Sequence, residues 1–412
     1  MKYGCIGEHL AHSFSREIHN LLSSEGYELV ELSPDELDGF MKKADFLGIN
    51  VTIPYKEAVI PYLYHIDESA RSIGCVNTVV NRDGKLFGYN TDFYGMISLI
   101  KKADIQIEGK KVVILGSGGT SKTARAVSSF LGASECITVS RKPSEKSEIS
   151  YEELYSLHTD AEVIINTTPV GMYPRVYDCP INISAFSSLV GVIDVIYNPI
   201  ETELVREARE RKIKAVTGLY MLVSQAARAS EIFLSKGYSE DKIDDVYNKI
   251  LKEKQSVVLI GMPSSGKSTV GRIIAEKTGK DFIDTDTLIE EKTEKRIFDI
   301  FLLFGEEKFR ECESEVIREV STLGGKIIAT GGGAILRKEN IDALRKNGKI
   351  FFIDRPLSAL VPTEDRPLSS DIESLEKKYK ERYYIYKDAA DVIIDADCTA
   401  EEVAEKILAE IQ

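Results

Sequence analysis

The chain has 412 residues, 43% of them hydrophobic and 29% charged. That length exceeds one ordinary domain of about 100 to 200 residues and predicts two or three, and the composition excludes a collagen-like, mucin-like or wholly disordered chain. Acidic residues outnumber basic ones, 66 to 53, for a net charge of −13; this argues against a nucleic-acid surface, which needs surplus Lys and Arg, but not against small anionic ligands bound by local clusters.

In chain order, residues 1–101 are marked by polar strings. HSFSREIHN begins at His12, NVTIPYK at Asn50, CVNTVV at Cys75 and GYNTD at Gly88. Ser13, Ser15, Thr52, Asn77 and Asn90 are neutral hydrogen-bonding side chains of the kind a polyhydroxylated ligand requires, and Lys56 with Asp92 can form an ion pair that handles a proton. These residues are expected to form their own lobe. A second lobe, 102–235, has strand candidates at Val112 to Leu115, Ile137 to Val139, Val163 to Ile165 and Val190 to Tyr197, alternating with amphipathic stretches, and its chain is expected to return to the first lobe near 219–235. The first strand runs into Gly116, Gly118 and Gly119 and then a helix, so backbone N–H groups and a helix N-terminus can face a pyrophosphate. Roughly 20 residues on, where an NAD-binding unit carries an acidic residue for the ribose hydroxyls, stand Ser140, Arg141 and Lys142, which suit the additional phosphate of NADP.

Residues 236–255 are strongly charged, and Ile243, Val246, Ile250 and Leu251 recur at helical spacing, predicting a connecting helix. Strand candidates follow at Val257 to Ile260, Phe282 to Ile283, Ile327 to Ala329, Ile350 to Ile353 and Val392 to Ile394. GMPSSGKST, Gly261 to Thr269, satisfies GxxxxGK[ST] between a strand and a helix. Its N–H groups would cradle phosphates, Lys267 would neutralise β and γ oxygens, and Ser268 would join Mg²⁺. In FIDTDTLIE, Asp284 and Asp286 are expected at a strand end with both side chains aimed the same way. FRECE adds Arg310 and Glu313, ATGGG adds Gly331 to Gly333, and Arg366 and Arg382 lie further on. Thr399 and Glu402 read as a capping box opening the last helix. Six cysteines form no CxxC pair and five histidines offer no zinc-type spacing, so free thiols in a reducing cytoplasm are expected. With no signal-like start and no bilayer-length apolar run, a soluble cytoplasmic protein without membrane or nucleic-acid partners is expected.

The strings HSFS, NVTIPYK, VNTVV, NTD, the GSGG turn, SRK, INTTPVGM, DVIYNP and GLYMLVSQA follow the order and approximate spacing of the shikimate dehydrogenase family, which residues 1–245 resemble. The resemblance implies an α/β substrate lobe and a Rossmann-like NADP-binding lobe that reduce 3-dehydroshikimate to shikimate with NADPH. It implies Lys56 and Asp92 as the catalytic pair, and Ser13, Ser15, Thr52, Asn77, Gln225 and Tyr197 around the substrate. Gly116, Gly118, Gly119, Ser140, Arg141, Thr168, Gly218 and Met221 fall on the cofactor side. Cys75 departs from the family's usual Ala, Ser140 from Asn and Lys142 from Thr.

The series P-loop, DTD, FRxxE, TGGG, RPL and RxxxY resembles shikimate kinase over residues 256–412, implying a P-loop domain with a parallel sheet that phosphorylates shikimate from ATP with Mg²⁺. By motif, Gly261, Gly266, Lys267, Ser268 and Thr269 fall on the nucleotide. Ser268 and Asp284 fall on the metal, and Asp286, Arg310, Gly332 and Arg382 on shikimate. Arg366 resembles the lid arginine. Ser264 replaces a Gly of the loop, and the segment before Arg366 lacks the Arg that commonly stacks on adenine. Together the two resemblances imply a bifunctional enzyme in which the product of one half is the substrate of the other. The alternatives are a quinate or shikimate dehydrogenase with relaxed NAD/NADP choice joined to the kinase, and a regulatory binding protein that has lost its chemistry; intact Lys56, Asp92, Lys267 and Asp286 argue against the latter.

Overall fold

The computed structural model describes residues 1–10, 13–143, 147–360 and 372–411. The chain divides into two compact units, Met1–Ile250 and Leu251–Gln412. Among the described residues no helix is long and apolar enough to cross a membrane.

The first unit holds two sheets. One is built from β1 (Tyr3–Gly7), β2 (Glu28–Glu31), β3 (Gly48–Val51), β4 (His65–Ile66), β5 (Thr78–Arg82) and β6 (Lys85–Tyr89), in the order β2-β1-β3-β5-β6-β4. It is mixed: β3 and β6 both run antiparallel to β5, while β1 lies parallel to β2 and β3. The other contains β7 (Lys111–Leu115), β8 (Glu135–Val139), β9 (Glu148–Ile149), β10 (Val163–Asn166), β11 (Gly191–Asp194) and β12 (Lys214–Val216), all parallel, ordered β12-β11-β10-β7-β8-β9. This is the doubly wound order, with its switch point between β7 and β10, where a crevice opens beyond the strand ends.

The apolar runs are buried on both faces, as parallel strands covered by helices require. Val112 and Ile114 enter one core cluster with Ile165 and Met96, whereas Val113 and Leu115 enter another with Ile164 and Val192. Each such side chain contributes roughly 1.5–3 kcal/mol by leaving water. The helix Leu219–Leu234 leaves this sheet and lies against the first. Gly48 admits it closely, since a Cβ there would stand 2.4 Å from the Phe233 ring. The strand expected over Val190 to Tyr197 is shorter, because the Asp194 carboxylate accepts the Ile196 N–H at 3.1 Å and turns the chain out of the sheet.

The second unit has one parallel sheet of β13 (Ser256–Ile260), β14 (Phe282–Asp284), β15 (Ile327–Ala329), β16 (Gly348–Asp354) and β17 (Val392–Asp395), ordered β14-β15-β13-β16-β17. Val257 and Leu259 pack on one side, Val258 and Ile260 on the other. The closing helix Ala400–Ile411 has its capping box: Glu402 accepts the Thr399 N–H at 2.9 Å, and Thr399 Oγ1 accepts the Glu402 N–H at 3.3 Å.

Candidate active sites

In the first unit Asn90 caps the helix Thr91–Lys102, accepting the Phe93 N–H at 3.2 Å and donating to the Cys75 carbonyl at 3.0 Å. That cap sets Asp92 in the first turn, where its Oδ2 accepts from Lys56 Nζ at 2.6 Å; the side chains are only 11% and 15% exposed. Burial pulls the Lys56 ammonium down, but the Asp92 carboxylate outweighs it, so the ammonium is held above its ordinary range and stays charged at neutral pH. Beside it, burial pushes the Cys75 thiol up to about 11 and the Cys5 thiol up to about 12, leaving both as inert packing.

Asn77 and Gln225 join this pair through Thr91. The Thr91 N–H donates to Asn77 Oδ1 at 2.7 Å and the Thr91 hydroxyl to Gln225 Oε1 at 3.3 Å. Gly95, one turn along, lets the helix Leu219–Leu234 approach, for a Cβ there would lie 2.7 Å from the Met221 carbonyl. Ser13 and Ser15 are half-buried and bond each other at 3.0 Å, with Phe14 between them packed 5.1 Å from the Tyr197 ring. Thr52 follows β3, its N–H bonded to the Ile6 carbonyl at 2.9 Å. Met221, at the start of the helix Leu219–Leu234, is 7% exposed and packs with Met96 and Leu99.

The glycine-rich turn closes in on the pair. A Cβ on Gly119 would meet Cys75 Sγ at 2.9 Å and Lys56 Cδ at 3.9 Å, so a side chain there would intrude between turn and lysine. Gly116 has φ +106°, a conformation that favours glycine, and leads the chain past Thr167 and Thr168 at the end of β10. Behind Thr168 lies a buried network. Asn166 Oδ1 accepts the Thr168 N–H at 3.0 Å and its hydroxyl at 2.7 Å, while Asn166 Nδ2 donates to Asp194 at 3.0 Å. Asp194 also accepts the Thr202 hydroxyl at 2.8 Å; burial nevertheless outweighs these donors and pushes its carboxyl up to about 7. Ser140 is buried, its hydroxyl 3.4 Å from that of Ser117, whereas Arg141 and Lys142 are exposed beyond it. Gly218 opens the helix Leu219–Leu234 where a Cβ would strike the Val195 carbonyl.

In the second unit Gly261 and Gly266 take φ +153° and +92°, and Lys267 begins the helix Lys267–Thr278. Ser264, in place of the usual Gly, is held at φ +65°, which a side chain adopts only at a cost. Lys267 is buried, with Nζ donating to the Gly261 and Met262 carbonyls at 2.9 and 2.8 Å, and Thr269 is exposed. The Ser268 hydroxyl donates to Asp284 Oδ2 at 2.5 Å. Asp284 ends β14, but Asp286 is not a further strand residue alternating with it. Asp284 caps the helix Thr285–Thr293 with Oδ1, accepting the Asp286 N–H at 3.0 Å, and Asp286 sits in the first helical turn.

Opposite them, Arg310 Nη1 donates to Glu313 Oε2 at 2.7 Å, both side chains being buried. Burial holds the Glu313 carboxyl above its ordinary range despite Arg310. The three glycines admit these groups: a Cβ on Gly331 would stand 2.5 Å from Asp286 Oδ1 and 2.8 Å from Glu313 Oε1, and one on Gly333 would strike the Arg310 guanidinium. The Gly332 carbonyl accepts Arg382 Nη1 at 3.1 Å and the Tyr386 hydroxyl at 2.5 Å. Asp286, Arg310, Gly332 and Arg382 are thereby tied to the same glycine triplet. Arg366 lies outside the described residues. Thr91, Asn166, Asp194, Glu313 and Tyr386 were assigned no role from sequence, although each lies inside one of the strings that carry the resemblance.

A charged pair beside a glycine-rich turn at a doubly wound switch point, and a P-loop with a hydroxyl–carboxylate pair, define the two units as a nucleotide-dependent oxidoreductase and a P-loop phosphotransferase. Comparison with known proteins gives the same division. The family model described as the shikimate dehydrogenase substrate binding domain matches residues 5–79, and that described as shikimate kinase matches residues 263–412. A shikimate dehydrogenase (NADP(+)) of Clostridium beijerinckii is 39% identical over 250 residues, covering 56% of this chain and 91% of that protein. Shikimate dehydrogenase 1 of Peptoclostridium difficile superposes with TM-score 0.56 at 39% identity, over 61% of this chain and 98% of its own. The Thermus thermophilus shikimate 5-dehydrogenase, solved in complex with NADP(H) and shikimate, gives 0.55 at 26% identity, over 60% and 99%. The chain belongs to the shikimate dehydrogenase family and carries a shikimate kinase domain after it.

Proposed function

We propose that the first unit reduces the ketone of 3-dehydroshikimate to shikimate with NADPH and that the second phosphorylates shikimate from ATP, so that two consecutive steps reside on one chain. The observation that carries this reading is the buried Lys56–Asp92 pair set against the Gly119 turn. NADPH, when bound, supplies the hydride. As negative charge grows on the ketone oxygen, the Lys56 ammonium stabilises it and donates the proton, and Asp92 holds the ammonium in line. Asn77 and Gln225, tied to Thr91, present hydrogen-bonding groups to the substrate hydroxyls, with Ser13, Ser15, Thr52 and Tyr197 completing that side. The cofactor fits this chain because Gly118 and Gly119 carry backbone N–H groups at a helix start, Gly116, its own N–H bonded to the Val139 carbonyl at 2.8 Å, turns the chain toward them, and Arg141 and Lys142 are exposed where a ribose phosphate would lie, with Thr168 and Gly218 completing the cofactor side.

In the second unit the Ser268 hydroxyl and Asp284 carboxylate, 2.5 Å apart, are hard oxygen donors that fit Mg²⁺. Mg²⁺, when bound, neutralises charge on the ATP phosphates. Lys267 follows the charge on the transferring phosphoryl group, Asp286 accepts a hydrogen bond from the attacking hydroxyl, and Arg310 and Arg382 hold the substrate carboxylate. The test supplies 3-dehydroshikimate, NADPH and ATP with Mg²⁺ and identifies products by mass. Accumulation of a phosphorylated, reduced product supports the reading; absence of either conversion overturns the assignment for that unit.

A further inference from the structure

The motif DRPL occurs twice in this chain, at Asp354 to Leu357 and at Asp365 to Leu368. The first lies at the end of β16, the strand paired beside β13 with Ile260 opposite Phe352. Gly261 opens the P-loop directly after β13, so Arg355 leaves the sheet level with that loop. The chain runs from β13 outward to β14 and β15 on one side and to β16 and β17 on the other, so the β13–β16 boundary is a switch point at which open α/β sheets bind ligands. Arg355 faces it: Nη1 lies 3.8 Å from where a Cβ on Gly266 would stand. Its Nε is buried and has no hydrogen-bond partner among the described residues, and no ion pair engages its guanidinium there. The neighbouring Asp354 carboxylate accepts instead from the Tyr383 hydroxyl at 3.1 Å. A buried donor left unmade is costly, and a planar fork of donors matches phosphate oxygens better than a lysine does.

We propose that Arg355 is a nucleotide-binding residue of the kinase unit, supplying a second cation to the phosphates from the end of β16 and acting from the opposite side of the loop to Lys267. The inference rests on the reading of this unit as an ATP-dependent kinase.

The test titrates the full-length chain with a fluorescent ADP analogue and Mg²⁺, comparing wild type with Arg355→Gln, Arg355→Lys and Lys267→Ala. Arg355→Gln should weaken the analogue roughly tenfold or more, and Arg355→Lys should recover part of that loss. The KM for ATP should rise in parallel while the KM for shikimate and the KM for NADPH in the other unit hold. Binding by Arg355→Gln within about twofold of wild type, with Lys267→Ala impaired, would overturn the role of Arg355 alone. If wild type binds no ADP analogue, the ATP reading fails with it. Should Arg355→Gln lose the thermal transition of the second unit, Arg355→Lys decides alone: wild-type affinity then overturns the need for the guanidinium fork.

Discussion

Lys56 and Asp92 stand 36 positions apart in sequence and meet at 2.6 Å. Removing the ammonium leaves the developing oxyanion without a proton donor, so Lys56→Ala should lower kcat for reduction by about 10²- to 10⁴-fold, while shikimate phosphorylation stays within twofold. Loss of both activities in a folded protein would show that the sites are not separate. In the proposed reading Arg141, exposed beyond Ser140, meets the ribose phosphate. Arg141→Asp replaces that partner with a like charge and offers the ribose hydroxyls an acceptor, so the NADPH/NADH ratio of kcat/KM should fall at least tenfold; an unchanged ratio would assign the phosphate to another residue. Asp194 carries a pH dependence. Its folded carboxyl is raised from 3.8 to about 7 by burial, so its stabilising contribution is complete below the unfolded value and is lost as pH rises through about 7. Between pH 6 and pH 8 this group should cost the first unit roughly 1 kcal/mol. Unfolding midpoints at the two pH values should show that loss in wild type and lack it in Asp194→Asn.

Among elements, the pair of helices Thr91–Lys102 and Leu219–Leu234 holds the first site together, since one carries Asp92 and the other Gln225. Their approach depends on Gly95, where a Cβ would stand 2.7 Å from a backbone carbonyl that cannot turn aside. Gly95→Ala should therefore destabilise this unit by about 1–3 kcal/mol and lower its kcat/KM, read as an earlier thermal loss of reduction with phosphorylation unaffected. Undiminished thermal resistance would mean the helices can separate at little cost. The central strands of the second and third sheets were legible because buried parallel strands read as apolar, mostly Val, Ile and Leu runs, whereas the short edge strands β9 and β12 of the second sheet gave no such run. The first sheet was not: YGCIG, ELVE and GINV are short, glycine-bearing or half-exposed, and their pairing partners lie far along the chain.

At the scale of the whole molecule, the charged segment 236–255 contains the helix Glu240–Lys254, and most of it belongs to the first unit, which extends to Ile250. Ile243 and Tyr247 pack on the core cluster that holds Met96 and Tyr220. Asp244 accepts from Lys102 at 2.7 Å and from the Tyr220 hydroxyl at 2.8 Å. Expressing residues 1–250 and 251–412 separately should yield two soluble fragments, each with its own activity. A fragment ending at 235 exposes that core face and should lose reduction at a lower temperature than 1–250. Equal stability of the two shorter forms would show that the helix contributes nothing to the first unit.

The residue types and their order along the chain were enough to point to an oxidoreductase half and a kinase half: a P-loop needs glycines, a lysine and a hydroxyl at set spacing, and a proton-handling pair needs a lysine and a carboxylate, wherever the chain carries them. Tertiary structure decided what lies beside what. It moved Asp286 from a strand to the first turn of a helix because Asp284 is consumed as the cap. It placed Met221 in the core, joined Asn77 to Gln225 through Thr91, and set Arg355 against Gly266. Such contacts join residues tens or hundreds of positions apart, where local periodicity carries no signal and only the packing of helices and the order of strands in the sheets settle proximity.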